Sequence, residues 1–273
     1  MSTPTIAFIG AGNMARSIIG GLLESGHPAQ SLRAADPFPA SLEQLQALGP
    51  IPTFADNAEA ASGADVVILA VKPQVMAEAL GSIASHVAEN RALVISIAAG
   101  ITIDSMRARL GEQAAIVRCM PNTPALLGCG ASGLYATEQV GQAQRGYAEA
   151  ILGAIGLVEW VPGESALDAI TALSGSGPAY FFLFMEAMID AGCELGLERS
   201  TATAMAQQTA LGAARMAIEG DVDLVELRRR VTSPGGTTQA AVESFEHSGL
   251  RETIARAMRA ANDRAQEMAR ELG

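Results

Sequence analysis

Residues 5–15 read Thr-Ile-Ala-Phe-Ile-Gly-Ala-Gly-Asn-Met-Ala, and this stretch decides how the chain begins to fold. The apolar run 5–9 predicts a β-strand, and Gly10–Gly12 predicts a tight turn. From Asn13 to about residue 25 the apolar pattern is helical. A glycine turn between a strand and a helix is typical of the first unit of a parallel α/β sheet.

In this context the pattern Gly-x-Gly-x-x-Ala indicates a dinucleotide site. Gly10 permits the sharp turn, Gly12 lets the backbone approach a pyrophosphate, and the small Ala15 lets the helix pack closely on the strand. The alternative is a glycine turn in the same kind of fold that binds no dinucleotide. The pyrophosphate is expected on Gly10, Ala11, Gly12, Asn13, Met14 and Ala15.

The remaining chain divides into two parts. Further strands are predicted at 31–35, 65–70, 92–97 and 116–120, with helices between them, which predicts a parallel, doubly wound sheet. After Trp160–Ser165 only helices are predicted, at 166–173, 178–196, 199–219, 223–231, 236–247 and 250–271. We therefore predict an α/β chain with a Rossmann-type dinucleotide-binding domain over 1–162. An all-α domain for substrate binding and dimerisation follows over 163–273.

Composition narrows the function classes. The net charge of −11 disfavours nucleic acid and anionic membranes as partners, and the apolar stretches fall short of the ~20 residues that a membrane span needs. The first residues lack the basic start of a signal peptide, so a cytoplasmic location is expected. Neither the three histidines nor the three cysteines show metal-ligand spacing, so no metal is expected, and the cysteines are predicted to be small buried hydrophobes.

Two charged residues near the predicted turns bear on the cofactor. Asp36 ends the second strand, where an acid accepts a hydrogen bond from a ribose 2′-OH and repels a 2′-phosphate. No Lys or Arg occurs over 37–42, which favours NADH over NADPH, although Asp36 as a helix cap is compatible with either. Lys72 is the only lysine among 18 basic residues, which suggests a place in the cofactor cleft where a guanidinium would not fit. Chance placement is the alternative.

Hydroxyl-rich turns open two of the predicted helices, Ser174–Pro178 and Ser233–Thr238. Free N–H groups at a helix start, together with hydroxyls, can hold a carboxylate, although helix capping alone also explains each Ser or Thr. Asn122 either contacts a ligand or braces its loop. These turns contain no His or Cys, so a histidine acid is not available. A substrate that is already a cationic imine would need orientation more than proton donation.

Taken together, six segments closely resemble the pyrroline-5-carboxylate reductase family: residues 8–15, 70–74, 96–100, 120–124, 173–180 and 231–238. The resemblance spans essentially the whole chain. It implies the last step of proline biosynthesis, reduction of L-1-pyrroline-5-carboxylate to L-proline by NADPH or NADH. It further implies a homodimer through the C-terminal helices, in some members a larger ring of dimers, with an active site built from two chains.

The resemblance also assigns roles to residues. It implies an adenine ribose near Asp36 and Asn57, and a nicotinamide side lined by Ala70, Val71, Lys72, Pro73, Ala98 and Ala99. The implied substrate residues are Glu164, Ser176, Ser233, Gly236, Thr237 and Thr238. Thr238, Lys72 and Ser174 are the implied catalytic residues, with the Thr238 hydroxyl as a positioning group or water relay at the imine nitrogen.

Three points stay open at the level of sequence. Many relatives carry Ser, Thr or Arg where this chain has Asp36-Pro37-Phe38, which leaves the choice between NADPH and NADH undecided. A β-hydroxyacid dehydrogenase relative would share the two-part layout, but the helical half has no lysine. A protein that binds a dinucleotide without catalysis is the alternative from another class.

Overall fold

The structure, a computed structural model, describes residues 3–272. Within them, eight strands form one sheet: β1 (Ile6–Ile9), β2 (Leu32–Ala35), β3 (Thr53–Phe54), β4 (Val66–Leu69), β5 (Leu93–Ser96), β6 (Ala115–Met120), β7 (Gly130–Ala136) and β8 (Gly156–Trp160). Their order across the sheet is β3-β2-β1-β4-β5-β6-β7-β8. The chain winds outward from β1 in both directions, which is the predicted doubly wound, Rossmann-type arrangement.

The predicted strands pair in parallel, as expected, but the sheet also contains one antiparallel strand that was not predicted. β7 runs antiparallel to β6, with Val117 opposite Ala136, whereas β1 to β6 pair in parallel and β8 is parallel to β7. The short connection 121–129 between β6 and β7 contains only a 3₁₀ turn, Thr123–Leu127. A parallel return needs a crossover of a dozen or more residues, so this connection leaves only the antiparallel pairing.

Seven helices accompany the sheet: α1 (Asn13–Glu24), α2 (Pro39–Gln46), α3 (Asn57–Ala61), α4 (Met76–Asn90), α5 (Ile103–Leu110), α6 (Gln142–Gly153) and α7 (Ala166–Ile170). Alternate residues of β1 belong to different apolar cores: Ile6 and Phe8 to one, Ala7 and Ile9 to the other. Because side chains alternate across a strand, the sheet is covered on both faces. Its functional groups must therefore lie at the ends of its strands.

Five further helices complete the described chain: α8 (Gly177–Glu194), α9 (Arg199–Glu219), α10 (Leu224–Arg230), α11 (Thr237–His247) and α12 (Leu250–Leu272). By packing, Gly177–Ala260 form one compact unit, here called the helical unit. The described residues through Ser176 and those from Ala261 onward form the other, the sheet unit. Residues 163–176 and the end of α12 thus pack with the sheet. The boundary after residue 162 was predicted to separate dinucleotide binding from substrate binding and dimerisation, and in that sense it remains a prediction.

The helical unit exposes large apolar side chains. On α8, Phe181, Phe182 and Leu183 are 69%, 57% and 66% exposed. These large apolar side chains are consecutive on α8, so the free chain leaves an apolar surface that a further polypeptide would cover. Of the helices described, none combines the length and the apolar character that crossing a bilayer requires.

Candidate active site

The glycine turn after β1 is fixed by its surroundings. Gly10 has φ +99°, and a Cβ at this position would lie 2.7 Å from the Ala70 carbonyl oxygen. Its N–H donates to the Ala35 carbonyl at 2.8 Å, which ties the turn to the end of β2. Only glycine combines this φ with this close approach. The turn is therefore held against the ends of two neighbouring strands.

The start of α1 has the features of an anion site. Gly12 is exposed, and a Cβ there would meet no atom within 4 Å, so packing within the chain does not require a glycine. The first N–H groups of α1, at Asn13 and Met14, have no intrahelical acceptor, and no side chain caps this helix end. Ala15 is fully buried in the core beneath the turn. N–H groups without an acceptor, next to a residue that has no side chain, can bind a pyrophosphate.

Asp36 joins the glycine turn to the segment after β2. Its Oδ2 accepts from the Ala11 N–H and its Oδ1 from the Phe38 N–H, both at 2.9 Å. The N-cap residue of α2 is Phe38, so Asp36 does not cap that helix. The carboxylate is half-buried at the carboxyl end of β2, where the sequence predicts a ribose contact.

The residues predicted for the nicotinamide side follow β4 and β5. Ala70 continues the ladder through its N–H to the Ile9 carbonyl at 2.8 Å, and Lys72 is exposed just before the 3₁₀ turn Pro73–Val75. Ala98 is buried and Ala99 half-buried beyond β5. Because β1, β4 and β5 are adjacent and parallel, these positions lie with the glycine turn at the carboxyl ends of the strands.

Asn57 lies at the start of α3, beyond β3 at the same carboxyl end of the sheet. Its Nδ2 donates to the Ser82 Oγ of α4 at 3.1 Å, and the preceding Asp56 caps α3. The half-buried Asn57 amide therefore has a contact within the protein. Its role at an adenine ribose stays a prediction.

Ser174 and Ser176 lie in the sheet unit, in and after a π-helical turn, Thr171–Gly175. The Ser176 N–H donates to the Thr171 carbonyl at 2.8 Å, and the Ser174 hydroxyl donates to the Ile170 carbonyl at 3.1 Å. Asn122 braces this turn, since its Nδ2 donates to the Ser174 carbonyl. Single π-helical turns occur often at functional sites.

Glu164 is bonded within the sheet unit. Its Oε1 accepts from the Ile103 N–H at 2.9 Å and from Arg118 Nη1 at 2.7 Å. Burial raises the pKa of the neighbouring Asp168 above its usual range, and the Arg118 guanidinium opposes that rise. Sequence reasoning missed Arg118, although a charged residue within a buried strand signals a buried partner. Substrate binding by Glu164 remains a prediction.

The second hydroxyl-rich turn lies in the helical unit, at the start of α11. Gly235 has φ +71°, and the Gly236 N–H donates to the Ser233 carbonyl at 3.0 Å, which closes the turn. Thr237 and Thr238 are the first two residues of α11, and both are exposed. No side chain caps this helix end, so its first N–H groups and two hydroxyls face outward together.

Comparison with known proteins identifies the family. Residues 5–100 match the family model described as NADP oxidoreductase, coenzyme F420-dependent, and residues 164–268 match pyrroline-5-carboxylate reductase dimerisation. The chain is 52% identical over 273 residues to the pyrroline-5-carboxylate reductase of Pseudomonas aeruginosa, with all of both chains covered. The chain belongs to the pyrroline-5-carboxylate reductase family.

Solved structures of pyrroline-5-carboxylate reductases agree with this. The enzyme from Coxiella burnetii superposes with a TM-score of 0.95 at 44% identity, covering 98% of this chain and 99% of the other. The enzyme from Plasmodium falciparum, solved with NADP bound, gives 0.84 at 28% identity, covering 98% and 99%. The resemblance found in the sequence motifs is confirmed, and the chain is an oxidoreductase that uses a pyridine nucleotide.

The cysteine prediction is correct for only part of the set. Cys119 is buried on β6, where burial raises its pKa to about 12, against a weaker opposing hydrogen bond with Ser132. Cys129, expected to be buried, is exposed. It follows the 3₁₀ turn and lies one residue before β7, outside the core.

Proposed function

We propose that this chain reduces L-1-pyrroline-5-carboxylate to L-proline. The nucleotide binds at the carboxyl ends of the strands in the sheet unit, and the substrate binds at the start of α11. The reaction is that of its family. Two features of one turn support the cofactor assignment: no side chain caps the start of α1, and Gly12 just before it is exposed. Packing within the chain does not require a glycine at position 12, whereas a bound pyrophosphate would. When bound, the reduced nicotinamide supplies the hydride to the cyclic imine carbon.

In this proposal, residues at the carboxyl ends of the strands hold and orient the nucleotide. The pyrophosphate lies over Gly10 to Ala15 and is bound by the first N–H groups of α1, since the Gly10 and Ala11 N–H groups already donate to Ala35 and Asp36. Asp36 and Asn57 contact the adenine ribose. The nicotinamide side is lined by Ala70, Val71, Lys72, Pro73, Ala98 and Ala99. Lys72 adds a compact positive charge at the mouth of this cleft.

We infer that Asp36 favours NADH over NADPH. Its carboxylate is half-buried, and no basic residue follows over 37–42 to neutralise a 2′-phosphate. A phosphate group beside this carboxylate would face like charge, whereas a ribose hydroxyl can donate a hydrogen bond to it. The relative from Plasmodium falciparum has NADP bound. For this chain, the charge at the end of β2 argues for the other nucleotide.

The proposed substrate residues act by positioning. The Ser233 and Thr237 hydroxyls, with the first N–H groups of α11 beside Gly236, hold the substrate carboxylate at the start of α11. The Thr238 hydroxyl orients the imine nitrogen directly or through a water. A hydroxyl is a poor acid, so its contribution is orientation. Ser174 and Ser176 supply further hydroxyls from the π-helical turn. The Glu164 carboxylate already has two protein partners, the Ile103 N–H and Arg118 Nη1.

The chain forms a homo-oligomer, in keeping with the dimerisation model that residues 164–268 match. We propose a homodimer through the C-terminal helices, because α8 exposes Phe181, Phe182 and Leu183 in the single chain. Burying such side chains on a second copy would stabilise the pair by about 25 cal/mol for each Å² of apolar surface covered. Assembly of dimers into a larger ring is a further prediction.

A spectrophotometric assay tests the function. Purified protein is mixed with L-1-pyrroline-5-carboxylate and either NADH or NADPH, and both nucleotide absorbance and proline are followed. Loss of absorbance matched by formation of proline is expected, faster with NADH. Nucleotide binding without turnover would indicate a non-catalytic binding protein. Turnover of 3-hydroxy acids alone would indicate a β-hydroxyacid dehydrogenase.

A further inference from the structure

The segment Ile97–Thr102 connects β5 to α5 and carries Ala98 and Ala99. It has no helical or strand structure of its own, so its position depends on its anchors. The first anchor continues the sheet: the Ile97 N–H donates to the Leu69 carbonyl at 3.2 Å. Two other anchors hold the remainder of the segment.

The second anchor is the end of α12. Gly100 has φ +78°, and a Cβ at Gly100 would lie 3.2 Å from Leu272 Cδ1 and 3.3 Å from the Met268 carbonyl oxygen. The middle of the segment is therefore packed from outside by the last turns of the chain. Little room remains for it to move away from the sheet.

The third anchor is Glu164. Its Oε1 accepts from the N–H of Ile103, the first residue of α5, at 2.9 Å. This N–H is one of those that a helix leaves without an internal acceptor, and a carboxylate at a helix N-terminus is also favoured by the helix dipole. The same oxygen accepts from Arg118 Nη1 at 2.7 Å.

Arg118 gives this anchor its rigidity. It lies on β6 directly opposite Ser96 of β5, and its side chain is 9% exposed. A guanidinium so little exposed needs a charged partner, and removing that partner leaves an uncompensated buried charge. The Glu164 carboxylate thus links β6 to the start of α5 by two charge-assisted hydrogen bonds.

We propose that Glu164 is a positioning residue for the nucleotide: with Arg118 it fixes the start of α5 and so holds Ala98 and Ala99 at the nicotinamide side. The inference rests on the proposed function, which assigns those two alanines to the cofactor. It gives Glu164 a role through the protein backbone in place of the predicted contact with the substrate.

The test compares Glu164→Gln with Asp65→Asn. In Glu164→Gln the amide oxygen can still accept from Ile103, but the negative charge facing Arg118 is lost. Asp65 is a matched control, because its Oδ2 also accepts from a backbone N–H, that of Thr5, at the opposite end of the sheet. NADH affinity is measured by fluorescence titration without substrate, and Tm is recorded for each variant.

For Glu164→Gln we expect the NADH Kd to rise about tenfold, the loss of roughly one charge-assisted hydrogen bond. The KM for pyrroline-5-carboxylate at saturating NADH should stay unchanged. Asp65→Asn should lower Tm and leave the NADH Kd as in the wild type. Glu164→Asp, which keeps the charge but shortens the side chain, should fall between wild type and Glu164→Gln, and it serves if the glutamine variant does not fold.

Three results would overturn the proposal. An unchanged NADH Kd in both Glu164 variants removes the positioning role and leaves the proposed function intact. A raised KM for pyrroline-5-carboxylate with unchanged NADH affinity would indicate that Glu164 contacts the substrate. Absence of binding of both NADH and NADPH by the wild-type protein removes the proposed function as well.

Discussion

Asp36 Oδ2 accepts a hydrogen bond from the backbone N–H of Ala11 at 2.9 Å, so the carboxylate at the end of β2 is bonded to the glycine turn after β1. One side chain therefore both fixes the turn and carries the charge that a nucleotide ribose would meet. A substitution can change both properties at once, and separating them requires two variants.

Asp36→Ser should move the ratio of kcat/KM values toward NADPH by about tenfold, because the charge opposing a 2′-phosphate is lost. Asp36→Asn removes the charge and the hydrogen bond from one backbone N–H but keeps an acceptor for the Ala11 N–H, so it should shift the preference in the same direction with a smaller loss of Tm. Steady-state kinetics with both nucleotides provide the measurement. An unchanged preference in both variants would exclude Asp36 from the ribose site.

Gly10 and Gly12 should respond differently to alanine. At Gly10 the new Cβ would lie 2.7 Å from the Ala70 carbonyl oxygen and φ is +99°, so Gly10→Ala should lower the free energy of unfolding by roughly 1–3 kcal/mol. At Gly12 the Cβ meets nothing within 4 Å, so Gly12→Ala should keep the wild-type Tm and weaken NADH binding. Thermal melts and NADH titrations separate the two effects. Normal NADH affinity in Gly12→Ala would contradict pyrophosphate binding at this turn.

Thr238→Ala should lower kcat about tenfold, the loss of roughly one hydrogen bond at the reacting group, with little change in NADH affinity. Thr238→Ser should restore most of the activity, because the hydroxyl is retained. Thr203 on α9 offers a control, since its hydroxyl bonds within its own helix to the Arg199 carbonyl. Full turnover by Thr238→Ala would remove this residue from the substrate site.

The two cysteines Cys119 and Cys129 should differ in reactivity. Burial raises the pKa of Cys119 to about 12, so a thiol reagent at about pH 8 should label the exposed Cys129 and spare Cys119 in the folded protein. Mass spectrometry of labelled peptides locates the modification. Labelling of Cys119 as fast as Cys129 would contradict its burial.

The same pKa shift predicts a pH dependence of stability. In the unfolded chain the Cys119 thiol ionises near its ordinary pKa of 9.0, whereas in the folded chain it stays neutral up to about 12. The unfolded state thus binds fewer protons between these values, and stability falls as pH rises through this range. Denaturant titrations of wild type and Cys119→Ala compare the slopes, and the variant should show the smaller decline.

The sequence predicted the elements that are specified by residues close together in the chain, and it did not predict contacts between residues far apart in the chain. β1, the glycine turn and α1 were predicted because a short contiguous pattern specifies them. β7 was missed, since Gly130 and Gly133 lower its strand propensity, and β8 was missed as a half-exposed edge strand.

At the candidate site the same limit applied. The turns that carry the proposed ligands were predicted from local motifs, whereas the Glu164–Arg118 ion pair joins residues 46 positions apart. Asn122 and Ser174 are brought together over 52 positions. Local periodicity does not report such pairs, because they depend on sheet order and loop path.

Transfer of deuterium from the nucleotide tests whether this chain reduces L-1-pyrroline-5-carboxylate. The protein is incubated with L-1-pyrroline-5-carboxylate and NADH that carries deuterium at the transferable position of the nicotinamide ring, and the product is analysed by mass spectrometry and NMR. We expect L-proline with a single deuterium on the ring carbon that was double-bonded to nitrogen. L-proline without deuterium, or oxidised nucleotide without L-proline, would contradict it.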